Sequence, residues 1–257
     1  MKNYLQFGTD VAEKAGEIML KHFETDLKRE WKEDRTPVTV ADIAVNKLVI
    51  EAVLNEYPTH GILGEEESFM QDSDYIWVCD PIDGTYPFSH GIPIFTFSLA
   101  LTYQGEPIVA ILYDPVLKRM YTAEKGKGAH MNNKQISVSN VSSFDRQFLG
   151  MEGKKITVFD EEEFRKALFV NGVIFANLGS STYACVMVAR GEFIGAVYSS
   201  PKAWDCAAVK LLIDEAGGKT TDLHGNEQRY DGKLKGFIAS NGIVHDHIVE
   251  ILSKLFT

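Results

Sequence analysis

Three cysteines in 257 residues are too few to build a disulfide framework. Cys79, Cys185 and Cys206 sit in apolar settings without paired spacing, the pattern of reduced, buried thiols in a cytosolic chain. Long apolar runs are missing too. No stretch approaches the roughly 20 apolar residues of a membrane span. The opening MKNYLQFGTDVAEKAGEIMLKHF has no continuous apolar core of the secretory type. A cytoplasmic protein without a membrane partner is expected. Basic charge is in deficit: 26 Lys and Arg face 36 Asp and Glu, a net charge of -10. That balance argues against a general nucleic-acid binder, which carries a basic face. There is no internal repeat and no low-complexity tract. What remains is ordinary globular composition, 45% hydrophobic and 24% charged, in a length that suits one large domain or two closely packed ones.

The periodicity divides the chain. Leu5, Val11, Ala12, Ala15, Ile18, Met19 and Phe23 form a helical stripe. The charged stretch ETDLKREWKEDRTP follows, then a second helical pattern from about Val40 to Glu56, closed by Tyr57-Pro58. Two short apolar runs, GIL and YIWVC, each end in acid: Glu65-Glu66-Glu67 and Asp80. IFTFSLALTY, PIVAILYD and LKRMYTAE then read as an antiparallel meander, and NNKQ as a further turn. Beyond a join near residues 135–150, strand and helix alternate: FVNGVIFANLG as strand, SSTYACVMVARG as helix, EFIGAVYS as strand, WDCAAVKLLIDEAGG as helix, GFIAS as strand and IVHDHIVEILSKLF as helix. An α+β half, residues 1–140, is therefore expected to precede an α/β half, residues 141–257.

Acids end strands or begin helices repeatedly. Glu65 and Glu66 follow GILG, Asp80 and Asp83 bracket Pro81 in CDPIDGT, and Asp42 and Asp205 sit at helix starts. Singly, each is ordinary: turn chemistry, a helix-terminal acid or a solvated loop. Together they ask for a cation, because converging carboxylates repel. All-oxygen ligands suit hard ions such as Mg²⁺. Two such ions about 3.5–4 Å apart can hold both the attacking and the leaving oxygens of a phosphoryl group. Pro81 is expected to pre-form a turn that makes Asp80 and Asp83 converge. Gly84-Thr85 supplies bare amides and a hydroxyl, and a helix beginning there would present its anion-binding end.

WVCDPIDGTYPFSH, WDCAAVKLLIDEAGG, GEE at 64–66 and TVAD at 39–42 together resemble, in order and across the chain, the inositol monophosphatase family of Mg²⁺-dependent, Li⁺-sensitive phosphatases. The resemblance implies a layered α-β-α-β-α sandwich of the sugar phosphatase type and a homodimer. It implies that Glu65, Asp80 and the carbonyl of Ile82 bind one Mg²⁺, and Asp80, Asp83 and Asp205 a second, with a third, weaker ion near Glu65 through water. Glu66 and Asp42 would act from behind the ligands or through bound water. Thr85, paired with Asp42, would orient and deprotonate the attacking water, with Glu65 among the catalytic set. Gly84 and Thr85 would hold phosphate. Gly179, Ser180 and Ser181 match a substrate-contacting segment, and Asp205 would also face substrate. Lys32 matches a lysine on a family loop and reads equally as a solvated charge.

The chain departs from the inositol-specific pattern at Tyr198, seven residues before Asp205, where those enzymes carry a glutamate that accepts inositol hydroxyls. The expected reaction is attack of water on a small phosphate monoester, an inositol, sugar or polyol phosphate. Fructose-1,6-bisphosphate, histidinol phosphate and 3′-phosphoadenosine-5′-phosphate are rivals on the same cage. A non-catalytic regulatory role is the alternative of a different class. Lys202 reads first as surface and second as a partner for an anionic group. His90 reads as a loop histidine, and residues 150–172 have no assigned role.

Overall fold

The computed structural model describes residues 3–23, 30–31, 37–151, 158–199 and 201–256. Lys32 and part of the unassigned 150–172 segment lie outside them. Helix α1, Tyr4–His22, begins where the Asn3 side chain accepts from Gln6 N at 3.0 Å, and it buries Val11, Ala12, Ala15 and Met19. Each larger apolar side chain taken out of water this way contributes about 1.5–3 kcal/mol. A short ribbon follows, β1 (Glu30–Trp31) antiparallel to β2 (Pro37–Val38). Helix α2, Val40–Glu56, starts on a reciprocal cap between Thr39 and Asp42 and ends at Tyr57, before Pro58.

The next segment builds a seven-stranded sheet: β3 (Gly61–Gly64), β4 (Tyr75–Asp83), then short helix α3 (Thr85–Ser89), β5 (Thr96–Tyr103), β6 (Glu106–Asp114), β7 (Arg119–Glu124), β8 (Ala129–Met131) and β9 (Lys134–Ile136). Neighbours follow chain order, with β3 parallel to β4 and every later pair antiparallel. The β8–β9 hairpin turns on Asn132 and Asn133 at φ 47° and 63°, a left-handed pair that asparagine tolerates. A second sheet comprises β10 (Phe148–Met151), β11 (Ile174–Ala176), β12 (Phe193–Tyr198), β13 (Lys219–Thr221) and β14 (Phe237–Ser240), in spatial order β11-β10-β12-β14-β13. Helices α4 (Glu161–Phe169), α5 (Ser181–Ala189), α6 (Ala203–Glu215) and α7 (His245–Ser253) complete the described elements.

The layers stack α-β-α-β-α. Helices α1 and α2 cover the outer face of the first sheet, burying Trp77, Phe97, Leu99 and Ile111. Helices α5 and α6 lie between the two sheets, with Cys206, Leu212 and Ile213 among the buried residues there. Helices α4 and α7 close the far face of the second sheet through Phe164, Leu168, Ile248 and Leu252. Among the described residues, no helix is long and apolar enough to cross a membrane.

Two expectations are corrected. CDPID is not a turn: β4 runs on through Asp83, and the register with β5 jumps between Asp80↔Ser98 and Asp83↔Thr96. Proline is tolerated at such an irregularity because no ladder donor is needed there. FVNGVIFANLG is strand only at Ile174–Ala176; Phe169 ends α4, whose acid-rich first turn is capped by Asp160. The second sheet is mixed, since β12, β14 and β13 pair antiparallel.

Candidate active site

The site forms where the C-terminal end of β4 meets the N-termini of α2, α5 and α6. Asp80 and Asp83 hang from the irregular end of β4, 2% and 8% exposed. Asp205 arrives from the first turn of α6, where its Oδ2 accepts from Lys202 N at 2.6 Å. One oxygen from each of Asp80, Asp83 and Asp205 lies within 4.8 Å of the others. The extended β4 end thus does the work expected of a proline turn: it carries both carboxylates into one cluster.

Asp83 is held by the start of α5. Its Oδ1 accepts from Ser181 N at 3.3 Å and Ser181 Oγ at 3.0 Å. Its Oδ2 accepts from Thr182 N at 2.9 Å, from Thr182 Oγ1 at 2.5 Å and from Ser180 Oγ. Thr182's proton faces the carboxylate, so Thr96 Oγ1, 2.5 Å away, donates to Thr182. Ser180 also caps α5, accepting from Tyr183 N at 3.1 Å. Ser180 and Ser181, matched above to substrate contacts, here orient Asp83. Gly179 begins this segment at φ 70°, and a β-carbon there would lie 2.8 Å from Pro87.

Asp80 makes one described hydrogen bond, accepting from Ile82 N at 3.0 Å, which leaves most of its lone pairs uncommitted. Burial drives its carboxyl well above the usual carboxylate range, and Glu65, Asp83, Asp205 and Asp42 push the same way. Glu65 comes alongside because Glu65 N donates to Cys79 O at 3.1 Å, extending the β3–β4 pairing by one residue. The Glu65–Glu67 loop is clipped shut by two backbone bonds between Ile62 and Phe69, at 2.7 and 2.8 Å. It is therefore a fixed feature rather than a solvated tail. Glu65 and Glu66 are half-buried. Asp80, Asp83 and Asp205 form the tight trio; the carboxylate of Glu65 acts on it from beside Asp80.

Asp42 is fully buried in the first turn of α2. Its Oδ2 accepts from Thr39 N at 2.8 Å and Thr39 Oγ1 at 2.6 Å. Burial pushes its carboxyl up to about 7, the Thr39 bonds pull down, and Glu65 and Glu66 raise it further. Thr85 Oγ1 lies 3.4 Å from Asp42 Oδ1 and 3.0 Å from the carbonyl of Ile82. Thr85 opens α3 and Gly84 precedes it at φ 93°, where a β-carbon would meet Ile94 O at 2.8 Å. Only glycine fits that position.

Tyr198 is 7% exposed on β12, packed into the central core, and offers no carboxylate. His90 closes α3: its ring lies on Tyr86 and its Nδ1 is 2.8 Å from Tyr86 O, a loop role. Thr182 and Thr96 were not anticipated from sequence. Their only signal is adjacency to Ser180-Ser181 and to the residues facing Asp83 across the strand pair.

A largely buried all-carboxylate trio fits a hard divalent cation: three acids share one locus, and Asp80 in particular lacks compensating donors.

The family profile described as "Inositol monophosphatase family" matches residues 1–256. An inositol monophosphatase from Dictyostelium discoideum is 34% identical over 271 residues, covering 99% of this chain and 95% of its own. A histidinol-phosphatase from Chlorobaculum parvum is 30% identical, covering 97% and 96%. The structure of an IMPase from Thermotoga maritima superposes with a TM-score of 0.88 at 29% identity, covering 98% of each chain.

Proposed function

The chain belongs to the inositol monophosphatase family, and from that premise we propose that it hydrolyses a small phosphate monoester with the help of Mg²⁺. One observation carries the reading: Asp80 and Asp83 from β4 and Asp205 from α6 bring oxygens within 4.8 Å of one another in a largely buried setting. In this reading Asp80, Asp83, Asp205, Glu65 and the Ile82 carbonyl hold two or three Mg²⁺ ions, with Glu66 behind them. Bound there, the ions would make water a better nucleophile and offset charge on the phosphoryl oxygens.

The chain's own groups do the rest. Thr85 Oγ1 accepts a proton from the attacking water while turning its own proton to Asp42, 3.4 Å away. The amides of Gly84 and Thr85 fix the phosphate. The water oxygen bonds to phosphorus as the bond to the ester oxygen breaks, the departing alkoxide takes a proton from a solvent water, and no phospho-enzyme forms. Ser180, Ser181 and Thr182 keep Asp83 aimed by donating to both of its oxygens. Residues 1–140 supply the α+β half and most ligands; residues 141–257 supply Asp205 and the side of the site toward the leaving group. A cytoplasmic homodimer with Li⁺ inhibition completes the proposal.

The named relatives act on different phosphates, so family membership leaves the leaving group open. The test is phosphate release in Mg²⁺ from inositol 1-phosphate, fructose 1,6-bisphosphate, histidinol phosphate and adenosine 3′,5′-bisphosphate. Release from at least one, with Asp83→Asn lowering the rate about 100-fold or more, is expected. Silence from all four, or an unimpaired Asp83→Asn, would refute the reading.

A further inference from the structure

Asp83 receives five donors from the start of α5, whereas Asp80 has a single described one. The two oxygens of a carboxylate offer about four acceptor directions between them. Asp83 is therefore over-subscribed by protein groups alone, and a cation that takes it as a ligand must displace one of them. The two oxygens are loaded differently. Oδ2 accepts from Thr182 N at 2.9 Å, from Thr182 Oγ1 at 2.5 Å and from Ser180 Oγ. Oδ1 accepts only from Ser181, through a long amide contact of 3.3 Å and the hydroxyl at 3.0 Å.

The three hydroxyls also differ in how firmly they are tied. Thr182 is fully buried, its β-branched side chain rotates poorly, and its Oγ1 accepts from the equally buried Thr96. Ser180, 5% exposed, caps α5 by accepting from Tyr183 N at 3.1 Å. Turning either hydroxyl away would leave a buried polar group unpaired. The backbone behind them is pinned as well: a β-carbon on Gly179 would lie 2.8 Å from Pro87, and one on Gly84 3.1 Å from Ser180 Cβ. Ser181 is the exception. It is half-buried at the first residue of α5, and its hydroxyl has no second hydrogen bond among the described residues. It is the donor that yields to a cation at the least cost, and it yields Oδ1.

We propose that Ser181 and Thr182 are positioning residues of opposite effect: Thr182, backed by Thr96, anchors Asp83 through Oδ2, while the Ser181 hydroxyl competes with the cation for Oδ1. The inference rests on the reading of the carboxylate trio as a Mg²⁺ site. It adds which oxygen of Asp83 serves the ion and which neighbouring side chain weakens its hold. A group that only orients a metal ligand weakens binding whenever it is removed. A competitor for the ligand strengthens binding when removed, so adjacent residues on one carboxylate should give changes of opposite sign.

The experiment is calorimetric titration of Mg²⁺, without substrate, into the full chain stripped of metal at pH 8. Wild type is compared with Ser181→Ala, Thr182→Val and Thr182→Ser. Ser181→Ala should lower the Kd for Mg²⁺ about three- to tenfold, the worth of one hydrogen bond exchanged with water. Thr182→Val should raise it about 10–100-fold, and Thr182→Ser, which keeps the hydroxyl, should stay within about twofold of wild type. An unchanged or raised Kd in Ser181→Ala overturns the proposal. So does a Thr182→Val Kd at or below that of wild type, or a Thr182→Ser Kd more than about tenfold above it. Alanine suits the first turn of a helix, so if Thr182→Val fails to fold, Ser181→Ala and Thr182→Ser still decide. The two levels separate cleanly. Absence of Mg²⁺ binding to wild type overturns the cation reading and this inference with it, whereas binding to wild type with the wrong order among the variants overturns this inference alone.

Discussion

Thr85 is the residue on which the proposed proton path depends, because its hydroxyl lies between Asp42, at 3.4 Å, and the Ile82 carbonyl, at 3.0 Å. Thr85→Val keeps the shape and removes the hydroxyl. Its kcat should fall by roughly 10²–10⁴, the usual worth of a positioned proton acceptor, while Thr85→Ser should recover most of it. Steady-state kinetics at saturating Mg²⁺ would check this, and a Thr85→Val variant with wild-type kcat would remove Thr85 from the mechanism. Residues of this kind were legible in the sequence because acids and a Gly-Thr pair in so short a stretch have few purely structural uses. The support around them was not. Thr182 reaches Asp83, and Thr96 reaches Thr182, only because α5 starts opposite the β4–β5 irregularity. No local pattern encodes that meeting. Ser180 and Ser181, matched in sequence to a substrate-contacting segment, turn their hydroxyls to Asp83.

At the scale of elements, the site is a set of helix starts aimed at one strand end. Thr39 shows how local capping and site geometry coincide. Its hydroxyl accepts from Ala41 N at 3.2 Å and donates to Asp42 at 2.6 Å, so one side chain starts α2 and holds a buried acid. Thr39→Ala should cost about 1 kcal/mol through the lost cap, a fall of roughly 2–4 °C in Tm for a chain of this size. Thr39→Ser should cost less, and calorimetry of the metal-free proteins would read both; equal Tm values for wild type and Thr39→Ala would show that the cap carries no weight. Long amphipathic helices and the antiparallel meander were readable from period alone. The short strands β10 and β13 were not, since three or four residues carry too little alternation to stand out. The extension of β4 through Pro81 was hidden for another reason: proline and Asp-Gly are turn chemistry in isolation, and only the neighbouring β5 makes them strand.

For the whole molecule, two buried ionisable groups set opposing pH dependences. His245, enclosed between Thr221 Oγ1 and Ser240 Oγ at 2.9 Å each, has its pKa lowered from 6.5 to about 4, chiefly by burial. A base held neutral in the folded state contributes fully above its unfolded pKa, and that contribution is lost as pH falls from 6.5 toward 4. The loss is up to about 3 kcal/mol, and it should appear as a fall of that size in the wild-type-minus-His245→Gln stability difference between pH 6.5 and pH 4, measured by urea unfolding. Asp80 runs the other way. Its carboxyl is raised by burial and by Glu65, Asp83 and Asp205, so the metal-free protein bears no penalty below the unfolded carboxylate pKa of about 3.9 and a growing one as pH rises. A divalent cation among the carboxylates offsets that penalty where they are ionised. Mg²⁺ at about 100 times its Kd at pH 8 should then stabilise by about 2.7 kcal/mol, raising Tm by roughly 5–10 °C at pH 8 and, at that same concentration, by clearly less at pH 5. Equal Mg²⁺ shifts at the two pH values, or none at either, would mean that the three carboxylates meet for some reason other than holding a cation.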